Sequence, residues 1–131
     1  MAEHNEIGKI GEDLTVSFLV KQGFIVIERN YRISQGEIDI VAKKDKTFRF
    51  IEVKSIKVRD CSSVENLNIA PEDNLTFAKW SKLAITIASY LNHRSVPHET
   101  PYQIDLACVY IDMEKREGKV KLIQNIHKEK D

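Results

Sequence analysis

The chain has 131 residues, of which 42% are hydrophobic and 31% charged, the composition of an ordinary globular domain. Its length admits one domain over 1–131 rather than two independent cores, and no apolar run reaches the length of a membrane span. Basic and acidic residues number 20 each, and that balance excludes a broadly basic surface, so any phosphate-binding patch must be local.

The leading segment MAEHNEIGKIGED lacks the basic and apolar regions of a signal peptide, so a cytoplasmic location is expected. Ile7, Ile10, Leu14 and Phe18 then recur at helical intervals up to Gly23, which predicts an amphipathic helix from about Asn5 to Gln22. A first strand over 24–32 follows, rich in β-branched and aromatic residues, and Ser34-Gln35-Gly36 makes its turn. Strands over 37–42 and 47–55 come next, separated by the charged run Lys43 to Lys46, which suits a hairpin.

The polar, patternless stretch 56–73 predicts a mobile loop. Thr76 is placed to cap a second helix whose apolar stripe is Trp80, Leu83, Ala84, Ile87, Ala88 and Leu91, ending near Asn92. Two last strands, 102–112 and 119–126, flank the turn MEKREG, and 127–131 reads as a frayed tail. The order α-β-β-β-α-β-β predicts an α/β fold with a mixed sheet and helices packed on it. Cys61 and Cys108 stand in no metal-ligand or disulfide spacing and read as free thiols, and the four histidines are scattered without a metal pattern.

The hairpin is the chemically dense part. With a turn centred on Asp45 and Lys46, Asp39 faces Glu52, Val41 faces Phe50 and Glu37 faces Lys54. Side chains alternate along a strand, so Glu52, Lys54 and Asp39 are expected on one face. Two carboxylates across a strand pair repel and call for a compensating cation. Oxygen ligands with no histidine or cysteine favour Mg²⁺ or Mn²⁺ over zinc. Lys54 would sit at the edge of that site, where an ammonium orients water or stabilises charge developing on phosphate. The same charges also fit a solvated cross-strand network, but Phe48 and Phe50 share the face of Glu52 and Lys54, and they belong in a core.

The segments GKIGEDLTVSFLVKQGFIVIERNYR, GEIDIVA and FIEVKS resemble the UPF0102 (YraN-like) family. The likeness runs from about Ile7 to Asn125 and includes NLTFAKWSKL and YQIDLACVYI. That family is similar to archaeal Holliday-junction resolvases and to the restriction-endonuclease-like PD-(D/E)xK superfamily. The resemblance implies Asp39, Glu52 and the backbone carbonyl of Val53 as metal ligands, and Lys54 as the motif lysine. It implies that Glu12 supports the metal site from the first helix, although a solvent-facing helix glutamate is the alternative. Glu37, in GEID, would support the site as partner of Lys54. Asp105 matches an acidic position of the late strand and is read as supporting the site or as making local hydrogen bonds. Relatives commonly carry Arg-Phe where this chain has Gln103-Ile104, which weakens any case for a basic contact there.

The function implied is metal-assisted hydrolysis of phosphodiesters in DNA, including branched DNA of repair or recombination. A catalytically inactive nucleic-acid-binding or scaffold module, and a nuclease acting on RNA, are the alternatives. Arg29, Arg32, Lys57, Lys79 and Lys82 are candidate nucleic-acid contacts, with Lys43, Lys44, Lys46 and Arg59 nearby. Tyr31 would stack on a base or pack in the core. Paired cuts in a four-way junction would require a homodimer.

Overall fold

The structure, a computed structural model, describes residues 2–61 and 76–126. Helix α1 (Ala2–Lys21) leads into β1 (Ile25–Ile33), β2 (Gly36–Lys44) and β3 (Thr47–Lys57); α2 (Phe77–His93), β4 (Tyr102–Asp112) and β5 (Glu117–Ile123) follow. The five strands lie in sequence order in one sheet. β3 and β4 are parallel and every other neighbouring pair is antiparallel. No described helix is long and apolar enough to cross a membrane. The mixed sheet with two helices is the expected architecture and is consistent with an α/β nuclease-like fold.

Each helix covers one face of the sheet. Ile40, Ala42, Ile51 and Ala107 pack with Leu19 of α1, whereas Val41 and Phe50 pack with Leu83, Ile87 and Tyr90 of α2. Neighbouring residues such as Ile40 and Val41 therefore point to opposite faces, as strand alternation requires. The buried line of α1 differs from the expected stripe: Gly11, Thr15 and Leu19 are fully buried, while Ile7, Ile10, Leu14 and Phe18 form its half-buried shoulders. The reason is close approach. A Cβ at Gly11 would stand 1.8 Å from Ser55 Oγ on β3, and the Thr15 hydroxyl is satisfied within the helix by the Gly11 carbonyl at 2.7 Å.

α2 is capped as expected, Thr76 Oγ1 accepting from Lys79 N at 3.3 Å. Its buried line is Leu83, Thr86, Ile87 and Tyr90 rather than the stripe through Ala84 and Ala88, which are exposed. Gly36 in the β1–β2 turn lies against this helix, where a Cβ would meet Thr86 Oγ1 at 2.7 Å.

Asp45 and Lys46 both have positive φ, 51° and 68°, the backbone a two-residue hairpin turn demands. That turn sets the expected register, with Val41 opposite Phe50 and Lys44 opposite Thr47. β3 continues two residues beyond the expected end at Ser55, Val58 N donates to Ile111 O at 2.9 Å, and Cys61 is buried. The expected loop thus contributes strand and core up to residue 61; its remainder, 62–73, and the tail 127–131 lie outside the described residues. Both cysteines are free and buried. β5 begins two residues earlier than expected, at Glu117, and ends at Ile123.

Candidate functional site

The ladder between β2 and β3 ends at Ile40 and Ile51, one pair short of Asp39 and Glu52. Beyond it the alternation of β2 is interrupted: Ile38 and Val41, three residues apart, both pack on the α2 side, while Ile40 packs on the α1 side. The neighbouring strand β1 shows the same reset. Glu28 bonds Arg94 and Tyr31 bonds Ser89 and His93, all on α2 or its cap, and between them Asn30 has φ 54°. Asparagine tolerates that left-handed conformation better than most residues. Asp39 therefore sits at a backbone irregularity, and its Oδ2 accepts the Val53 N–H of β3 at 2.8 Å.

Asp39 and Glu52 lie close enough to feel each other's charge, although the β2–β3 ladder stops one pair before them. Burial raises both pKa values. Asp39 is pushed up to about 6, against the lowering effect of the Val53 N–H and with Glu37 and Glu12 adding negative charge. Glu52 is pushed up to about 8 by burial and then by Asp39 and Glu37, partly offset by Lys79. Burial and mutual repulsion both favour keeping a proton on the pair.

Asp39 opens onto a cavity of about 410 Å³ lined by α1, β1, β2 and β3, with Glu12, Glu37, Val53 and Lys54 among its walls; Glu52 is not one of the lining residues. Glu12 faces this cavity rather than solvent. Its side chain is 14% exposed, and Oε1 accepts from Arg29 Nε at 2.8 Å and Asn30 Nδ2 at 3.0 Å. Oε2 carries no hydrogen bond among the described residues. Lys54 is exposed at the rim and makes no ion pair among the described residues. Glu37 is not its partner, contrary to expectation. The Glu37 carboxylate accepts from Arg32 Nε at 2.5 Å, because Arg32 stands opposite it in the β1–β2 ladder while the β2–β3 ladder has already ended.

Asp105 lies apart from these groups. It is fully buried, pairs with Arg49 Nη1 at 3.2 Å, and accepts from Gln103 Nε2 and from Asn125 N at 3.0 and 2.9 Å. Its donors thus include the nearby Gln103 and, from 56 residues away in sequence, Arg49. Arg29 is engaged with Glu12 and Asp13, and Arg32 with Glu37, so both candidate arginines have their charge compensated. Lys79 and Lys82 are exposed on α2, and the charge of Lys79 is felt at Glu52. Lys57 is exposed and has a partner. Tyr31 takes the packing role: it is buried, its ring edge-on to Tyr90 at 5.2 Å.

The cavity also has walls not expected as part of the site: Asn5, Gly8 and Lys9 of α1, Asn30 of β1 and Ser55 of β3. Helical spacing alone relates them, since Asn5, Gly8, Lys9 and Glu12 fall at intervals of three and four along α1.

The donor set fits a hard divalent cation. Two adjacent carboxyls that must share a proton when metal-free exchange that proton for a metal ion's charge. Two carboxylates match the number Mg²⁺ takes, its other positions going to water and phosphate. Among the described residues no three histidine, cysteine or acidic side chains gather as a metal-chelating group.

The fold and this site define a class: mixed-sheet α/β proteins whose central hairpin presents a half-buried pair of carboxyl groups with a lysine nearby. More particularly, the chain belongs to the uncharacterised protein family UPF0102, whose profile matches residues 11–109. It is 38% identical to a UPF0102 protein of Campylobacter lari over 88% of each chain. A relative from Flavobacterium psychrophilum is 32% identical over 92% of each chain. One from Dictyoglomus turgidum is 39% identical over 71% of this chain and 73% of its own length.

Proposed function

We propose that this protein is a Mg²⁺- or Mn²⁺-dependent endonuclease that hydrolyses phosphodiester bonds in DNA, acting in the cytoplasm on substrates that include branched DNA. The observation that carries this reading is the half-buried, electrostatically coupled Asp39–Glu52 pair, with Asp39 on the wall of an open cavity whose rim carries Lys54, a lysine with no ion pair among the described residues. Buried, mutually repelling carboxylates cost stability, and perturbed groups of this kind cluster at functional sites.

Asp39, Glu52 and the Val53 carbonyl would hold the ion. When bound, it supplies Lewis-acid stabilisation of the phosphate and lowers the pKa of water. Lys54 donates to the phosphate oxygens as charge develops on them. Glu12, fixed through Oε1 by Arg29 and Asn30, uses Oε2 to orient the attacking water. Glu37 and Arg32 form the exposed wall on which the substrate rests, and Lys79 and Lys82 meet the phosphate backbone from α2.

The test is incubation of purified protein with duplex, single-stranded and branched DNA, and with RNA, in Mg²⁺ or Mn²⁺, alongside Asp39→Ala and Lys54→Ala. Metal-dependent cleavage by wild type and none by Asp39→Ala is expected. Tight binding without cleavage by wild type would assign the inactive binding module instead. Paired cuts in a junction would further require two copies in solution, read by size-exclusion light scattering.

A further inference from the structure

α1 contains two glycines, and the structure explains only one of them by packing. Gly11 is buried against Ser55 and Val109, so any side chain there collides with the sheet. Gly8, one turn earlier, is exposed and lines the candidate site's cavity, and a Cβ added there meets nothing within 4 Å. Glycine is a poor residue for a helix interior, and alanine would hold this turn better at no steric cost among the described residues. What Gly8 gives is bare backbone on a cavity wall. Its neighbours on that wall are Asn5, a neutral hydrogen-bonding side chain, and Lys9, an exposed ammonium with no ion pair among the described residues.

We propose that Asn5, Gly8 and Lys9 form a subsite for the nucleic-acid backbone next to the scissile phosphodiester, in which the missing Cβ of Gly8 lets the sugar–phosphate chain lie against α1. The inference rests on the nuclease reading and deepens it. Lys9 neutralises a phosphate of the strand, and Asn5 donates to a phosphate or sugar oxygen. The strip is continuous with Glu12 on the same helix, so a backbone held there runs directly to the groups assigned to the reaction.

Wild type is compared with Gly8→Ala, Gly8→Leu and Lys9→Gln by thermal denaturation, Mn²⁺ calorimetry and anisotropy of a labelled DNA oligonucleotide across salt concentrations. Gly8→Ala is expected to raise the melting temperature by about 4 °C, the gain of an ordinary helix former. Mn²⁺ affinity stays unchanged in all three variants. Gly8→Leu weakens DNA binding by about tenfold through obstruction, and Lys9→Gln lowers the slope of log K against log salt by about one. If Gly8→Leu binds DNA as wild type does, the subsite is overturned while the nuclease reading stands. A melting temperature lowered by Gly8→Ala would overturn it too, because it would give Gly8 a packing role. A wild-type protein that binds Mn²⁺ but no DNA would overturn both.

Discussion

Asp105 and the Asp39–Glu52 pair lie on the same sheet and differ in how their charge is met. Asp105 is fully enclosed, yet it has a guanidinium, a side-chain amide and a backbone N–H as partners. Asp39 and Glu52 are only half-buried and have chiefly a backbone N–H and each other, with Lys79 contributing only at a distance. Asp105 is given its cation, Arg49, by the chain itself. An acid left to share a proton with another is poised to take its cation from solution.

The contrast can be broken or sharpened by substitution, beginning with its strongest consequence. Asp105→Ala leaves Arg49 buried without its carboxylate and should cost about 3–5 kcal/mol of stability in urea unfolding. A loss below about 1 kcal/mol would mean that the pair is not structural. Lys54→Ala should lower kcat by about 10²–10³-fold, or about 2.7–4 kcal/mol, with its melting curve unchanged. An equal fall in stability would turn that lysine into a packing residue.

Glu52→Gln should instead stabilise the metal-free protein at pH 8, by about 1–2 kcal/mol, because it removes an uncompensated buried charge. The pH dependence carries a sign. Both carboxyls have folded pKa values raised above their unfolded ones, to about 6 and about 8. The folded state thus holds more protons, and the stability they confer, full below about pH 4, is lost as pH rises through those values. Metal-free wild type should therefore lose stability between pH 5 and 8 relative to Glu52→Gln, and parallel profiles would refute the assignment. The smallest effect belongs to Arg32→Ala. Its ion pair with Glu37 is largely exposed, and its loss should change stability by less than about 1 kcal/mol.

The hairpin register from Lys44–Thr47 to Ile40–Ile51 was legible because a two-residue turn and strand alternation together leave little freedom; the expected pairing of Asp39 with Glu52 lies one step beyond the end of that ladder. What alternation could not reveal is its own failure between Ile38 and Val41, which follows from a left-handed backbone at Asn30 on the adjacent strand. The same reset ends the ladder before Glu37 and leaves that residue to Arg32. On α1, apolar periodicity found the shoulders of the buried face and missed its centre. Gly11 and Thr15 are buried for their small size and internal hydrogen bond rather than for hydrophobicity, which no apolar pattern registers. Arg49 was missed because its partner is 56 residues away in sequence, on the neighbouring strand.

The most direct test of the central claim is titration calorimetry of Mn²⁺ into the metal-free protein at pH 7, in buffers of different ionisation enthalpy. Wild type should bind one ion with release of about one proton, the one the Asp39–Glu52 pair shares, and Asp39→Asn should bind none. Binding that releases no proton, or that survives in Asp39→Asn, would contradict the account.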